Sequence, residues 1–104
     1  MQSEFREQEE MRALKSDLNQ AAIVRTFHQA GATVQDLHAV GHGCPDLAIG
    51  YHGRTYLVEV KGKRGKFTPD QVEWHMAWRG AAKVIRSCLE AVEFLNEVNI
   101  KKGS

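Results

Sequence analysis

The stretch that decides the fold is GCPDLAIGYHGRTYLVEVKGKRGK, residues 43–66. It contains two short apolar runs typical of strands, residues 47–51 and 55–60, separated by His52 and Gly53. Such a pair between strand-type runs predicts a two-residue hairpin, because this turn needs positive φ and glycine adopts it without steric cost. The stretch therefore predicts two antiparallel strands.

The register of this hairpin brings charged residues together at its open end. If Tyr51 pairs with Arg54, the ladder carried back places Asp46 opposite Glu59. Directly opposite side chains lie about 4.5–5.5 Å apart, and like charges there destabilise a sheet, so a cation should lie between them. Alternation along the strand places Lys61 on the same face as Glu59. Two carboxylates and a lysine at one end of an apolar hairpin are typical of a divalent-cation site.

Length and composition indicate a single domain. The chain has 104 residues, of which 42% are hydrophobic and 26% charged, as is ordinary for a globular protein with one core. We expect a polar N-terminal arm or loose helix over residues 1–16, one folded domain over residues 17–100 and a tail over residues 101–104. No run approaches the ~20 apolar residues of a membrane span, and the N-terminus lacks a signal-peptide core, which predicts a cytoplasmic protein.

The net charge of +1 conceals an uneven distribution. Residues 1–53 carry 4 basic and 7 acidic side chains, whereas residues 54–86 carry 8 basic and 3 acidic ones. Lys63, Arg64 and Lys66 lie in a glycine-containing loop directly after the hairpin. A basic loop beside a metal-type site indicates a phosphate-bearing partner. The alternative is an ordinary solvated loop.

Hydrophobic spacing and capping signals predict the remaining secondary structure. Asp17 is a reasonable N-cap for a first helix, which Gly31 closes. Thr68 begins another helix, with Pro at its first position and Gln71 completing a capping box. The other predicted elements are a strand over 33–40, a strand over 83–86 and a last helix, capped by Ser87 and Glu90, that runs to about 97. With the helix from Thr68 running to about 79, the order α-β-β-β-α-β-α predicts an α/β fold in which a mixed β-sheet is flanked by helices.

Three expectations concern helix faces. On the last helix, periodicity assigns the buried side to Leu89, Val92, Phe94 and Leu95. Trp74 and Trp78 lie four positions apart on the helix that begins at Thr68. Two tryptophans at this spacing more often belong to a core or an interface than to a base-stacking surface, so we assign both to a core or an interface. His75 falls on the same face as Gln71, but a lone histidine is more often structural than catalytic.

The paired carboxylates fit a magnesium-type ion. Mg²⁺ prefers oxygen ligands, commonly one or two carboxylates together with waters and substrate phosphate oxygens. Asp46 and Glu59 supply such a pair, and the backbone carbonyl of Val60 is a further candidate ligand. A bound ion would activate a water and neutralise charge on a phosphate, while Lys61 would orient that water or stabilise the pentacovalent phosphate. This set predicts phosphodiester hydrolysis.

The same residues also carry a family resemblance. Pro45-Asp46, twelve residues and then Glu59-Val60-Lys61 resemble the PD-(D/E)XK nuclease signature. Together, GCPDLAIG, RTYLVEVK and FTPDQVEWH resemble the stand-alone VRR-NUC nucleases of phages and bacteria, which are related to the Holliday junction resolvases of archaea. The resemblance covers roughly residues 17–95.

This resemblance implies properties that the residues alone do not establish. It implies a restriction-endonuclease-like core, dependence on Mg²⁺ or Mn²⁺, endonuclease action on branched DNA such as Holliday junctions or flaps, a role in DNA repair, and a homodimer. Gln71 would join Asp46, Glu59 and Lys61 in the catalytic site, and the basic loop would bind the DNA. Related resolvases carry a further metal-binding Glu on the first helix. Here that position is Gln20, an amide, which leaves one-metal and two-metal mechanisms open.

The same residues are compatible with other functions to different degrees. A decayed site would leave a catalytically weak or inactive module that binds branched DNA, which the amide at Gln20 favours. A sequence-specific restriction enzyme would need long inserted loops to reach the major groove, and the chain has none. A zinc site would lack a fourth ligand beside His38, His42 and Cys44.

Overall fold

The computed structural model describes residues 17–103, with side chains described for residues 17–100. Helix α1 covers residues 17–29 of this part. It is followed by β1 (Thr33–Asp36), a 3-10 helix (His38–Val40), β2 (Leu47–Tyr51), β3 (Arg54–Val60), α2 (Pro69–Ala77), β4 (Ala82–Ile85) and α3 (Cys88–Gly103). The predicted α/β class and the order α-β-β-β-α-β-α are confirmed. The predicted arm over residues 1–16 lies outside the described residues.

The four strands form one mixed sheet in the order β1-β2-β3-β4. Strands β1, β2 and β3 are antiparallel neighbours, whereas β4 runs parallel to β3. Tyr51 pairs with Arg54 and Leu47 pairs with Val58, so the predicted register is confirmed. The turn between them has positive φ at both His52 and Gly53. Two positive φ values give the type of turn whose twist matches that of the flanking strands.

Helix α1 packs on the sheet and ends as predicted. Ile23 and Phe27 are fully buried in the core. The Gly31 N–H donates to the His28 carbonyl, and the Ala32 N–H donates to the Phe27 carbonyl. With Gly31 at φ 92°, these bonds form a Schellman motif, which satisfies helix carbonyls that would otherwise lack donors. The predicted cap at Asp17 is wrong, because Asp17 is already helical.

The strand predicted over residues 33–40 is too long. It ends at Asp36, whose Oδ1 accepts a hydrogen bond of 2.7 Å from the His38 N–H. An aspartate that binds the backbone two residues ahead competes with the sheet ladder and turns the chain. Residues 38–40 then form the 3-10 helix.

Helix α3 differs from the prediction in length and in its buried face. It continues to Gly103 and so includes residues 101–103 of the predicted tail. Leu89 and Val92 are exposed, and the predicted face is wrong at those two positions. The buried side instead consists of Ala91, Phe94 and Leu95, with Val98 partly buried. The capping interaction at Ser87 is present, because its hydroxyl accepts from the Glu90 N–H.

Helix α2 has the predicted start but not the predicted packing. The Thr68 hydroxyl accepts from the Gln71 N–H, and the Gln71 side chain accepts from the Thr68 N–H, which completes the capping box. No residue of α2 is buried. Trp74 is half-buried and Trp78 is exposed, so neither belongs to the core, and their assignment to an interface stays a prediction. No helix in the described part of the chain is long and apolar enough to cross a bilayer.

Candidate active site

Asp46 is positioned by the backbone at the entrance to β2. Pro45 before it is buried, and the Asp46 carbonyl accepts a hydrogen bond of 2.8 Å from the Leu37 N–H. Its carboxylate Oδ2 accepts 2.8 Å from the Val60 N–H on the neighbouring strand. These contacts continue the hairpin one step beyond the last β2–β3 pair and direct the Asp46 side chain towards Glu59.

Glu59 is the one charged residue buried among those the structure describes. Its Oε1 accepts a hydrogen bond of 2.6 Å from the Gln71 Nε2, and the Lys61 ammonium lies 3.7 Å from the same oxygen. Its Oε2 is buried without a hydrogen-bond donor from the described residues. Burial, and then the charge of Asp46, raises the pKa of Glu59 to about 7, against the lowering effect of Lys61.

Gln71 joins helix α2 to the site. Its Oε1 accepts hydrogen bonds from the Thr68 N–H at 2.9 Å and from the Lys61 Nζ at 2.6 Å. Its Nε2 donates to Glu59. The Gln71 amide therefore caps its own helix and also orients Glu59 on β3 and Lys61 directly after β3. The predicted grouping of Asp46, Glu59, Lys61 and Gln71 is present in the structure as one connected cluster.

The donor set fits a hard divalent cation. Two carboxylates face each other, and the buried Oε2 of Glu59 has no donor from the described residues. Carboxylates this close need a shared proton or a cation between them, since like charges in a low-dielectric environment repel strongly. Among residues 17–103, no three His, Cys, Asp or Glu residues are placed to hold a metal ion. An ion at Asp46 and Glu59 would therefore need water or substrate oxygens for its remaining ligands, as Mg²⁺ sites commonly use.

The backbone of the basic loop after β3 is hydrogen-bonded to Arg86, a role that the sequence does not predict. The Arg86 Nη1 donates to the Gly62 carbonyl at 2.7 Å and to the Gly65 carbonyl at 2.8 Å. The Arg86 N–H in turn donates to the Glu90 carboxylate at 2.9 Å. A single arginine at the end of β4 gives no sequence signal of this role. Its consequence is a loop of defined shape beside the site.

The predicted DNA-binding residues are displayed on this loop. Lys63, Arg64 and Lys66 are all exposed, whereas Lys61 at the start of the loop is half-buried against Gln71. The four cations are thus divided into one that faces the carboxylates and three that face solvent.

Comparison with known proteins agrees with this geometry. No protein-family model matches the sequence, and no curated protein matches it. A solved structure of a VRR-NUC domain does match, with a TM-score of 0.66 at 25% sequence identity, over 79% of this chain and 95% of that one. The chain has the fold of a VRR-NUC domain, which supports a VRR-NUC nuclease. The restriction-endonuclease-like fold predicted from the PD, EVK and TPDQ motifs is confirmed with it.

The structure places the two neighbouring amides of α1, Asn19 and Gln20, in different surroundings. Asn19 Nδ2 donates to the Lys61 carbonyl at 3.3 Å and to the Arg86 carbonyl at 3.4 Å, which ties α1 to the site's edge. Gln20, the candidate metal ligand, lines a shallow surface depression with other α1 residues, among them Val24 and Arg25. Asn19, and not Gln20, is therefore the α1 amide that lies at the active-site end of the sheet. Its role was not predicted, because adjacent helical positions differ by about 100° in direction.

The loop that enters β2, which contains Gly43, packs directly against the start of α2. A side chain on Gly43 would collide with the Asp70 carbonyl and with the Gln71 backbone nitrogen. Gly43 also has φ 80°, which favours glycine for a second reason. The close approach is what brings Gln71 to the end of β3, where it reaches Glu59 and Lys61.

Proposed function

We propose that this VRR-NUC domain is a metal-dependent, structure-specific endonuclease that hydrolyses phosphodiester bonds in branched DNA. The observation that carries the proposal is the buried Oε2 of Glu59, which has no donor from the described residues and belongs to a carboxylate whose pKa the charge of Asp46 raises further. A buried carboxylate beside a second carboxylate costs folding free energy even with Lys61 nearby, and such costly arrangements are concentrated at functional sites. Mg²⁺ or Mn²⁺ is the proposed cofactor.

The chain's own residues would divide the chemistry among them. Asp46 and Glu59 would hold the ion, with the backbone carbonyl of Val60 as a further candidate ligand, whereas Gln20 lines a surface depression of α1 and is no longer proposed. Bound there, a divalent ion supplies a water of lowered pKa and positive charge for the phosphate oxygens. Lys61, fixed by the 2.6 Å hydrogen bond to Gln71, would donate to the phosphate oxygen on which negative charge develops.

The DNA would be held by the basic loop. Lys63, Arg64 and Lys66 are exposed cations on a loop whose backbone is fixed by Arg86, so they would contact phosphates in a set orientation. Phosphate contacts of this kind fix position without reading sequence. A domain of this size covers little DNA, and a homodimer would place two sites on the two strands of a branched substrate.

The proposal is tested by incubating the purified protein with labelled four-way junctions, flaps and linear duplex in Mg²⁺ or Mn²⁺. We expect cleavage of branched DNA, loss of cleavage in Asp46→Ala, and unchanged cleavage in Glu93→Ala, which removes an exposed carboxylate on α3. Cleavage of none of these DNAs, or cleavage that survives Asp46→Ala, would overturn the proposal. Light scattering with and without DNA tests the homodimer, and a monomer in both conditions would contradict it.

The second candidate is a branched-DNA-binding module without strong catalysis. It is favoured by the small donor set, since no three His, Cys, Asp or Glu residues cluster as ligands in the described part. This candidate predicts junction binding that weakens steeply with salt and persists in Glu59→Ala, with no cleavage in either metal. The cleavage and binding assays together separate the two functions.

A further inference from the structure

Four aromatic rings form a continuous row that leads away from Lys61. The Lys61 Nζ lies 5.7 Å from the centroid of the Phe67 ring. Phe67 stacks flat on His75 with centroids 4.6 Å apart, and His75 meets the edge of Trp74 at 5.1 Å. Trp74 then stacks on Trp78 at 4.8 Å with 17° between the ring planes. The row joins the candidate active site to the far end of α2.

The far end of this aromatic row is exposed yet held in place. Trp78 is 45% exposed, although an indole gains much free energy from burial. Its ring is fixed on one side by Trp74, and the backbone at Gly80 approaches so closely that a side chain there would contact the indole Nε1. A large apolar ring that is oriented before a ligand arrives loses little entropy on binding one.

The charges around the row favour a nucleic-acid strand as its ligand. Phe67 directly follows Lys66, so the row begins at the basic loop. Cationic grooves that follow the backbone, combined with aromatic rings on which bases stack, are how proteins bind single strands without sequence preference. Asp70 and Glu73 share a pocket with Trp74 in the middle of the row, whereas the rings at its two ends, Phe67 and Trp78, do not line that pocket.

We propose that the aromatic row of Phe67, His75, Trp74 and Trp78 binds unpaired bases of a DNA strand whose phosphates contact the basic loop. The domain would then prefer DNA with unpaired nucleotides beside the branch, such as a flap, to a fully paired four-way junction. The inference rests on the proposed function in one respect: the strand on the row belongs to the substrate of the same site.

The test measures binding without cleavage, in EDTA, to a flap with a single-stranded arm and to a fully paired four-way junction. We expect Trp78→Ala and Trp78→Leu to weaken flap binding about 5- to 150-fold, since one base–aromatic stack contributes about 1–3 kcal/mol. Junction binding should stay unchanged, and Trp78→Phe should restore most of the flap affinity. Met76→Ala is the matched control, because Met76 is 79% exposed on the same helix but outside the row.

Two results would overturn the inference. Equal losses for the flap and the paired junction would show that Trp78 does not contact unpaired bases. If light scattering shows a dimer for the wild type but a monomer for each of the two variants, Trp78→Leu and Met76→Ala, then a second copy of the chain covers α2. Trp78→Leu keeps the apolar bulk, so circular dichroism identifies any variant that merely misfolds. Because the assay needs no catalysis, an inactive enzyme that still prefers the flap would contradict the proposed function while supporting this surface.

Discussion

Replacing Glu59 with glutamine should stabilise the protein at neutral pH while removing its nuclease activity. Burial, reinforced by the charge of Asp46, raises the pKa of Glu59 from 4.5 to about 7. Between these two values the folded protein keeps a proton that the unfolded chain has lost, so the free energy of unfolding falls as pH rises. Each pKa unit corresponds to about 1.4 kcal/mol, and the loss across this window is therefore about 3 kcal/mol. Glutamine does not titrate and escapes this loss.

The measurement is urea unfolding of both proteins in the absence of divalent ions. The free energy of unfolding of Glu59→Gln should gain about 2–3 kcal/mol relative to wild type between about pH 5 and about pH 8, since titrating groups that do not contact Glu59 cancel in the difference. Glu73→Gln, an exposed glutamate on α2, is the control and should show no such trend. A difference that does not change with pH, or a wild type more stable than Glu59→Gln at the higher pH, would refute the reasoning.

Three further predictions follow from the contacts around the site. Gln71→Ala removes the donor to Glu59 and the acceptor of Lys61, and cleavage of labelled branched DNA should fall about 10- to 100-fold. Arg86→Met removes two hydrogen bonds to the backbone of the basic loop. Limited trypsin digestion within this loop should therefore be faster than in wild type. An unchanged digestion rate would show that Arg86 does not hold the loop in place. Gly43→Ala should lower the free energy of unfolding by more than Gly53→Ala, measured in urea, because both glycines have positive φ but only Gly43 abuts α2. The left-handed conformation alone costs about 1–2 kcal/mol.

The parts of the structure that sequence predicted are those fixed by local chemistry. The His52–Gly53 turn sets the β2–β3 register, and that register in turn brings Asp46 towards Glu59. The capping box at Thr68 and the glycine at the end of α1 are likewise decided within a few residues. In each case the backbone needs a particular φ or a particular donor, and few residue types supply it.

The parts that sequence missed depend on contacts between distant segments. Helical spacing alone does not show which stripe of α3 meets the sheet, so Ala91 was overlooked and Leu89 was wrongly assigned. The side-chain hydrogen bonds from Asn19 and Arg86 join residues 21 to 67 positions apart, and neither side chain belongs to a recognisable motif. The capping role of Gln71 is predictable from the sequence. The contact between Gln71 and Glu59 is not, because it depends on the close approach of α2 to the chain at Gly43.

The way α2 is attached makes the integrity of the active site measurable without substrate. No side chain of α2 is buried, so the hydrogen bonds of Gln71 and the close approach at Gly43 carry much of its attachment to the sheet. Local unfolding of this helix and disassembly of the Glu59–Lys61 cluster are then a single cooperative event. Amide hydrogen exchange in α2 reports the population of the disassembled site, and a ligand that binds the cluster slows that exchange in proportion to its affinity.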